Sequence, residues 1–286
     1  MVSEGSLVKK IRIEKGLSQK NICDGIMTQS SYSKFEKGKI DLLSYKYNNV
    51  LSKLEISHDE FQYILNGHNY PLKKRIIYDF FSLNYNNVSK LMDIKQVAIM
   101  YLKENDDNVI QDICDICSGL INLSESNDII SARGYISNVW KRLEEHDNWY
   151  LIDLRLINTI LFLFPPETAI FFADKAILKL EEYKDFKNTL QLTAHYKLNL
   201  TFLLVNYKKY KQGLKTIDSA ILTCKLIKNH MQLAVCYVRK GILLYYLENK
   251  ESEYYIQKGL NILTIIEEFE ILEAIKYEID INIEQS

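Results

Sequence analysis

Helix-breaking residues are scarce in this chain: its 286 residues include 3 prolines and 10 glycines. Sandwiches and propellers need many tight turns, so that scarcity disfavours them and favours long helices. From Leu72 to Ile283 apolar residues recur at helical intervals, with almost no alternating strand pattern. The spacing predicts helices over 73–86, 88–104, 108–122, 128–145, 148–163, 166–183, 188–206, 208–227, 230–247, 250–266 and 269–283. Hydrophobic residues make up 47% of the chain and charged ones 26%, enough apolar material for sizeable cores and too much for wholesale disorder. No apolar run is long enough to cross a bilayer, and the first residues lack the apolar core of a secretion signal. The expected location is the cytoplasm, without membrane association.

Charge divides the chain unevenly. Residues 1–75 hold 13 Lys+Arg against 8 Asp+Glu, a net +5, while residues 76–286 hold 23 against 29, a net −6. A small basic part before a larger acidic one makes contact with phosphates electrostatically feasible at the N-terminal end.

The N-terminal part has the punctuation of five short helices. Leu7 and Ile11 share a helix face that Gly16 ends, and Ser18 caps a second helix with Ile22 and Cys23 turned inward. Gly25 breaks that helix and Ile26 plugs the turn. Thr28 caps a third helix, Gln29 to Lys37, with Tyr32 and Phe35 on its inner face and Gly38 at its end. A fourth runs near Leu42–Leu54, placing Leu43, Tyr47, Val50, Leu51 and Leu54 at helical intervals. Ser57 and Glu60 have capping-box spacing for a fifth, with Phe61 and Ile64 inward, closed by Gly67. Two short helices joined by a tight turn in such a unit make a helix-turn-helix. The outer face of the third helix carries Gln29, Ser30, Ser33, Lys34 and Lys37, side chains able to hydrogen-bond base edges or phosphates. Lys37 and Lys39 fit ordinary solvated surface equally well.

Arg12-x(3)-Gly16-Leu17-Ser18-Gln19, with Ile26 and Phe35-Glu36-Lys37-Gly38, resembles the helix-turn-helix of phage-repressor-type (Xre-like) regulators. The resemblance implies that Arg12 pairs with Glu36, that Gln19 contacts a phosphate, and that Gln29, Ser30 and Lys34 face bases. The segment between the second and third helices is one residue shorter than in the repressors. The candidate DNA-binding set is Arg12, Gln19, Thr28, Gln29, Ser30, Ser33, Lys34 and Lys37.

The longer part shows weak internal repetition. Ala169 and Ala176 are spaced as Gly213 and Ala220 are, and as Ser252 and Gly259 are. Each small residue is expected where the second helix of a pair crosses the first closely, the packing logic of degenerate tetratricopeptide repeats. The fold class expected is therefore all-α: a five-helix helix-turn-helix domain followed by a right-handed superhelix of tetratricopeptide-like helix pairs. The expected divisions are 1–66 for the DNA-binding domain, 67–75 for a linker and 76–286 for the repeat domain.

First helices of such pairs line a concave face suited to an extended peptide. Three stripes share one spacing there: Arg155, Asn158 and Phe162; Tyr196, Asn199 and Leu203; Arg239, Ile242 and Tyr246. These are the candidate peptide-binding residues. The apolar members, Phe162, Leu203 and Ile242, equally fit plain inter-helix core. The C-terminal stripe Ile271, Leu272, Ile275, Ile279 and Ile283 is expected to contribute some dimer burial.

Behind an Xre-like domain this architecture resembles the Rgg/GadR/MutR family, within the peptide-responsive regulators of Gram-positive bacteria. The segments carrying the resemblance are Ser18–Gly25, Ser31–Glu36, Ile56–Phe61, and Leu154–Pro165 followed by Glu167-Thr-Ala. It implies a homodimer with domain-swapped DNA-binding domains, operator DNA as one partner and a short hydrophobic pheromone peptide as another. Some members join the two DNA-binding domains by a disulfide just after the recognition helix. No cysteine stands there, where Tyr45 lies, so that bond is expected to be absent.

Enzymatic chemistry is not expected. Cys114-Asp-Ile-Cys117 lacks the second ligand pair a zinc site needs and the βαβ context of a redox motif. His58-Asp59-Glu60 lacks the P-C-x-x-C partner of a deaminase, and no phosphate loop or nucleophile elbow occurs. Five cysteines with no secretion signal point to reduced thiols. The reading is a quorum-sensing, peptide-responsive transcription regulator with no cofactor. A ligand-free dimeric Xre-type repressor and a helical-repeat interaction scaffold stand as alternatives.

Overall fold

Short polar side chains set where the helices begin. In the computed structural model, which describes residues 3–83, 87–187 and 189–284, Ser3 caps α1 (Glu4–Glu14), Ser18 caps α2 (Gln19–Cys23) and Thr28 caps α3 (Gln29–Glu36). Ser57 caps α5 (His58–Leu65). Each accepts a hydrogen bond from the backbone N–H three residues on, which satisfies a donor the helix itself leaves unpaired. At α2 the bond is reciprocal: the Asn21 side chain also accepts from the Ser18 backbone at 3.1 Å. Between them lies α4 (Ser44–Lys53), and α6 (Leu72–Phe81) follows α5. Residues 72–75, expected as linker, are thus the first turn of a helix.

Residues 1–82 form one compact unit. Its core gathers Val8, Ile22, Tyr32, Phe35, Val50, Leu54 and Phe61 from all of α1–α5 or their ends. Leu43, expected on the inner face of α4, is the residue preceding that helix and is 64% exposed. The helix starts two residues later than the apolar spacing suggested, so Leu43 never joins the stripe.

Residues 83–286 form the second unit. Its helices are α7 (Val88–Leu102), α8 (Asn108–Ser126), α9 (Ile129–Glu144), α10 (Leu151–Ile160), α11 (Pro166–Glu181), α12 (Thr189–Asn206), α13 (Tyr210–Leu226), α14 (His230–Tyr246), α15 (Ser252–Ile265) and α16 (Phe269–Ile279), the last prolonged by a π-helical turn, Asp280–Glu284. These are the helices the periodicity predicts, with ends shifted by a few residues. Residues 84–86 and 188, included in two of the predicted helices, lie outside the described residues. Among the described residues there is no β-strand, and no helix is long and apolar enough to cross a membrane.

Most consecutive helices pack on one another, and alternate helices α10, α12, α14 and α16 also touch. That second set of contacts is the signature of stacked helix pairs rather than a simple bundle. Gly259 marks one tight crossing: a Cβ there would lie 2.5 Å from the Ala234 carbonyl oxygen of α14. Gly241 marks its counterpart on α14, with Ser252 O at 2.8 Å from the same imagined atom. Ala169, Ala176 and Ala220 are fully buried. Buried ion pairs knit the earlier pairs, where Arg142 on α9 binds Asp112 on α8 and lies 3.8 Å from Asp153 on α10.

The turns explain how so few glycines suffice. Lys208, Lys228, Glu248 and Glu267, which follow α12, α13, α14 and α15, all take left-handed backbone with φ between 55° and 59°. Non-glycine residues rarely do so, at a cost on the order of 1 kcal/mol each.

The C-terminal apolar stripe is largely spent within the chain. Leu272 and Ile275 are buried in the core shared with α12–α15, and Ile271, Ile279 and Ile283 pack against it. Ile271, Ile279 and Ile283 stay half-buried, and it is these members of the stripe that remain for the dimer burial expected of it. The large apolar side chains that the same segment exposes are Phe269, Tyr277 and Ile281.

Candidate nucleic-acid interface and groove residues

The second and third helices are locked together from below by one charged cluster. Arg12, at the end of α1, donates through Nε to Glu36 Oε1 at 2.6 Å and through a terminal nitrogen to Oε2 at 3.0 Å. Its remaining terminal nitrogen donates to the Leu17 carbonyl at 2.7 Å. Gln19, in the first turn of α2, donates to Glu36 Oε2 at 2.7 Å. The hydrogen bond that Arg12 donates to Glu36 raises the Arg12 pKa further, against the effect of burial. Burial works against the Glu36 carboxylate, but hydrogen bonds from Arg12 and Gln19 outweigh it and hold the group below its ordinary range. A bidentate pair of this kind fixes geometry as well as charge. On the far side, Lys53 of α4 donates to the Asn21 and Asp24 carbonyls at 3.3 and 2.6 Å, tying down the end of α2.

Arg12 is therefore corrected from the DNA-contacting set. It is buried, and its donors serve Glu36 and Leu17. The role that the resemblance implied, pairing with Glu36, is the one the geometry carries. Gln19 is half-buried, with its amide turned to Glu36, and Thr28 is exposed while capping α3.

What α3 presents outward is Gln29, Ser30, Lys34 and Lys37, all exposed, with Ser33 half-buried between them. Tyr32, Phe35 and Glu36 face inward. Gly5 makes this placement possible: a Cβ on it would lie 1.9 Å from the Phe35 carbonyl oxygen, so α1 crosses the end of α3 at main-chain contact. No periodicity argument isolates Gly5, because a helical glycine reads simply as a weak helix former.

In the second unit, four of the nine groove candidates change place. Tyr196 is fully buried, donating through its hydroxyl to the Leu154 carbonyl at 2.6 Å, and Leu203 and Ile242 are buried core. These three have no surface left for a ligand and are corrected to core. Phe162 leaves the stripe it was assigned: α10 ends at Ile160 and residues 161–163 tighten into a 3-10 turn ahead of Pro165. The other five, Arg155, Asn158, Asn199, Arg239 and Tyr246, are half-buried.

The structure links most of those polar side chains into a ladder across the first helices. Asn199 on α12 donates to Asn158 Oδ1 on α10 at 3.2 Å. Arg239 on α14 donates to the Leu198 carbonyl on α12 at 2.9 Å and lies over the Phe202 ring at 5.1 Å. The same guanidinium holds Glu278 on α16 through two bonds, 2.8 and 3.0 Å. Burial opposes the Arg239 charge, yet the Glu278 carboxylate more than compensates, and the Arg239 pKa stands raised. Tyr246 stacks on Tyr210 at 4.4 Å and donates to the Asn282 carbonyl at 2.8 Å. Phe202, Glu278 and Asn282 belong to this set and were not singled out from the sequence.

Cys114 and Cys117 both sit on α8 and are buried, which pushes both thiols up, Cys117 to about 12. Among the described residues no three His, Cys, Asp or Glu side chains gather as a metal site would require.

Comparison with known proteins places this architecture. The chain resembles a protein of Listeria monocytogenes EGD-e described as a transcriptional regulator, with a TM-score of 0.78, 18% identity, and 99% and 97% of the two chains covered. It also resembles Bacillus thuringiensis PlcR, solved with the peptide PapR7 and DNA, at a TM-score of 0.67, 19% identity and coverage of 96% and 99%. The Streptococcus dysgalactiae SHP pheromone receptor Rgg2 matches at a TM-score of 0.72 and 15% identity over 98% and 100%. At these identities the likeness is one of fold. Residues 116–277, more than half of the sequence, match the C-terminal domain of the HTH-type transcriptional regulator Rgg, and the chain belongs to that family of transcription regulators.

Proposed function

We propose that this chain binds operator DNA through residues 1–66 and senses a short hydrophobic peptide through residues 76–286, acting in the cytoplasm as a homodimer. The observation that carries the reading is the α3 face: Gln29, Ser30, Lys34 and Lys37 exposed on a helix whose other side is fixed by the Arg12–Glu36 pair. Side chains that read bases must be held in register, and a buried bidentate pair beneath them does that. Ser33 and Thr28 lie beside this face, and Gln19 reaches a phosphate by exchanging its bond to Glu36. A dimer would present two such helices to successive major grooves, about 34 Å apart.

Arg155, Asn158, Asn199, Arg239 and Tyr246 are the peptide-facing residues in this reading. The peptide alters DNA binding only if it prefers one arrangement of the helix pairs over another. PlcR solved with PapR7 and DNA has the same fold and carries both partners at once, which supports the reading.

One observation favours a second reading, a dimeric repressor without a small ligand. The ladder from Asn158 to Glu278 is already hydrogen-bonded within the chain. Calorimetry with hydrophobic peptides of various sequences separates the two: heat of binding supports sensing, and none with any of them favours the ligand-free repressor. DNA binding itself is tested by mobility shift on operator fragments across salt concentrations. Affinity must fall steeply as salt rises if phosphates are contacted, and unchanged affinity in both Gln29→Ala and Lys34→Ala would remove the assignment of α3.

A further inference from the structure

The core of the second unit holds a pair of thiols that neither DNA reading nor peptide sensing uses. Cys224, in the last turn of α13, and Cys236, in the second turn of α14, have their sulfur atoms 3.8 Å apart. Both are buried, and both belong to the same apolar cluster. An ammonium group stands next to them. Lys197 of α12 is half-buried and donates to the Thr223 hydroxyl, adjacent to Cys224 in sequence, at 3.3 Å. Here burial lowers the Lys197 pKa, while the negative potential of Glu181 and Cys224 works the other way.

We infer that Cys224 and Cys236 form a disulfide-forming site that takes a small hydroperoxide as its oxidant, covalently joining α13 to α14.

Closing the bond brings the sulfurs from 3.8 Å to the covalent distance of about 2.05 Å. That is a small movement for two side chains on helices joined by a short turn. The two thiols are also not equivalent. The hydrogen bond shared with Cys236 holds the Cys224 thiol below its ordinary range, burial opposes it, and Lys197 adds to the lowering. The same hydrogen bond and burial push Cys236 strongly upward. Lys197 is bonded at Thr223, beside Cys224 rather than Cys236, and the ammonium favours the thiolate there, so Cys224 is the attacking sulfur and Cys236 the resolving one. In the first step Cys224 sulfur attacks the nearer peroxide oxygen. The O–O bond breaks, Cys224 becomes a sulfenic acid, and the departing oxygen leaves as water or an alcohol after taking a proton. In the second step Cys236 sulfur attacks Cys224 sulfur, the S–O bond breaks, and the hydroxide leaves as water with the Cys236 proton. Two thiols lose two electrons and the peroxide gains them. By contrast, Cys114 and Cys117, also buried, both have thiols raised by burial and no nearby partner that lowers either below its ordinary range.

The test uses the full-length reduced protein and hydrogen peroxide. Thiols are counted in denaturant, and the digested chain is read by mass spectrometry. The expected result is a fall from the five free thiols to three, with one new link joining the peptides that carry Cys224 and Cys236, reversed by dithiothreitol. Lys197→Met should form the same link several-fold more slowly, and Cys236→Ser should leave Cys224 as a sulfenic acid that dimedone captures. An unchanged thiol count overturns the inference. So does a link through Cys23, Cys114 or Cys117, a link between two copies, or separate over-oxidation of the two sulfurs. The wild-type measurement decides the matter even where a variant does not fold.

Discussion

Arg239 on α14 and Glu278 on α16 are joined by two hydrogen bonds, although 39 residues separate them in sequence. Their side chains are 14% and 12% exposed, so the pair is nearly withdrawn from water. Removing one partner leaves the other charged and buried, a larger penalty than losing both. Glu278→Ala is expected to destabilise the chain by about 3 kcal/mol, while Arg239→Met with Glu278→Leu costs clearly less. Urea unfolding of the two variants measures the difference. Equal losses would mean that the pair is too well hydrated to act as a clasp.

The Arg12–Glu36 pair makes a prediction about acid. Glu36 titrates below its ordinary value of 4.5 in the folded chain. A group so depressed binds fewer protons folded than unfolded, so its stabilisation is present above about pH 4.5 and drains away as pH falls through the folded value. Thermal unfolding of the N-terminal unit should therefore drop steeply on acidification below that point. Glu36→Gln should be less stable at neutral pH and show a shallower acid limb. A variant with the wild-type slope would remove Glu36 as the cause.

These two pairs mark where the sequence could and could not be read. Helix positions followed from the apolar period together with capping residues and glycine stops, and on α3 the inward Tyr32 and Phe35 and the outward Gln29 and Lys34 separate cleanly. The helix α12 offers no such contrast. Leu192, Ala194, Tyr196, Leu198, Leu200, Leu203 and Val205 are buried on nearly every side of it, so spacing cannot distinguish groove wall from core. Tyr196 was misplaced for that reason. Its partner Leu154 lies 42 residues away, and matching them needs the register between helices, which no single helix encodes. Phe162 failed differently: the approach to Pro165 disfavours continued α geometry, and the stripe bends out of line.

Gly5 sets the stringency of the DNA-reading unit. A methyl group there would meet the Phe35 carbonyl oxygen at 1.9 Å, and main chain cannot turn aside as a side chain can. Gly5→Ala should cost about 1–3 kcal/mol through forced separation of α1 and α3. Because α3 carries the exposed Gln29 and Lys34, operator affinity should fall with it. Circular dichroism melting and mobility shift together check this; full affinity in a stable variant would show that α3 is positioned without the α1 contact.

The left-handed residues closing α12–α15 yield the opposite sign. Glu248 takes φ 55°, a conformation in which a Cβ crowds the backbone, and it ends α14 where a glycine normally would. Replacing it by glycine relieves that strain, on the order of 1 kcal/mol, but adds freedom to the unfolded chain, worth about 0.4–1 kcal/mol in the other direction. The net is a small gain, and the same balance holds for Lys228 at φ 56°. Substituting both, in turns that follow different helices, should add the two gains, since distant sites act independently. Guanidinium unfolding midpoints of Glu248→Gly, Lys228→Gly and the double variant read this directly. A marked loss in either single variant would show that the side chain itself, rather than the backbone angle, stabilises the turn.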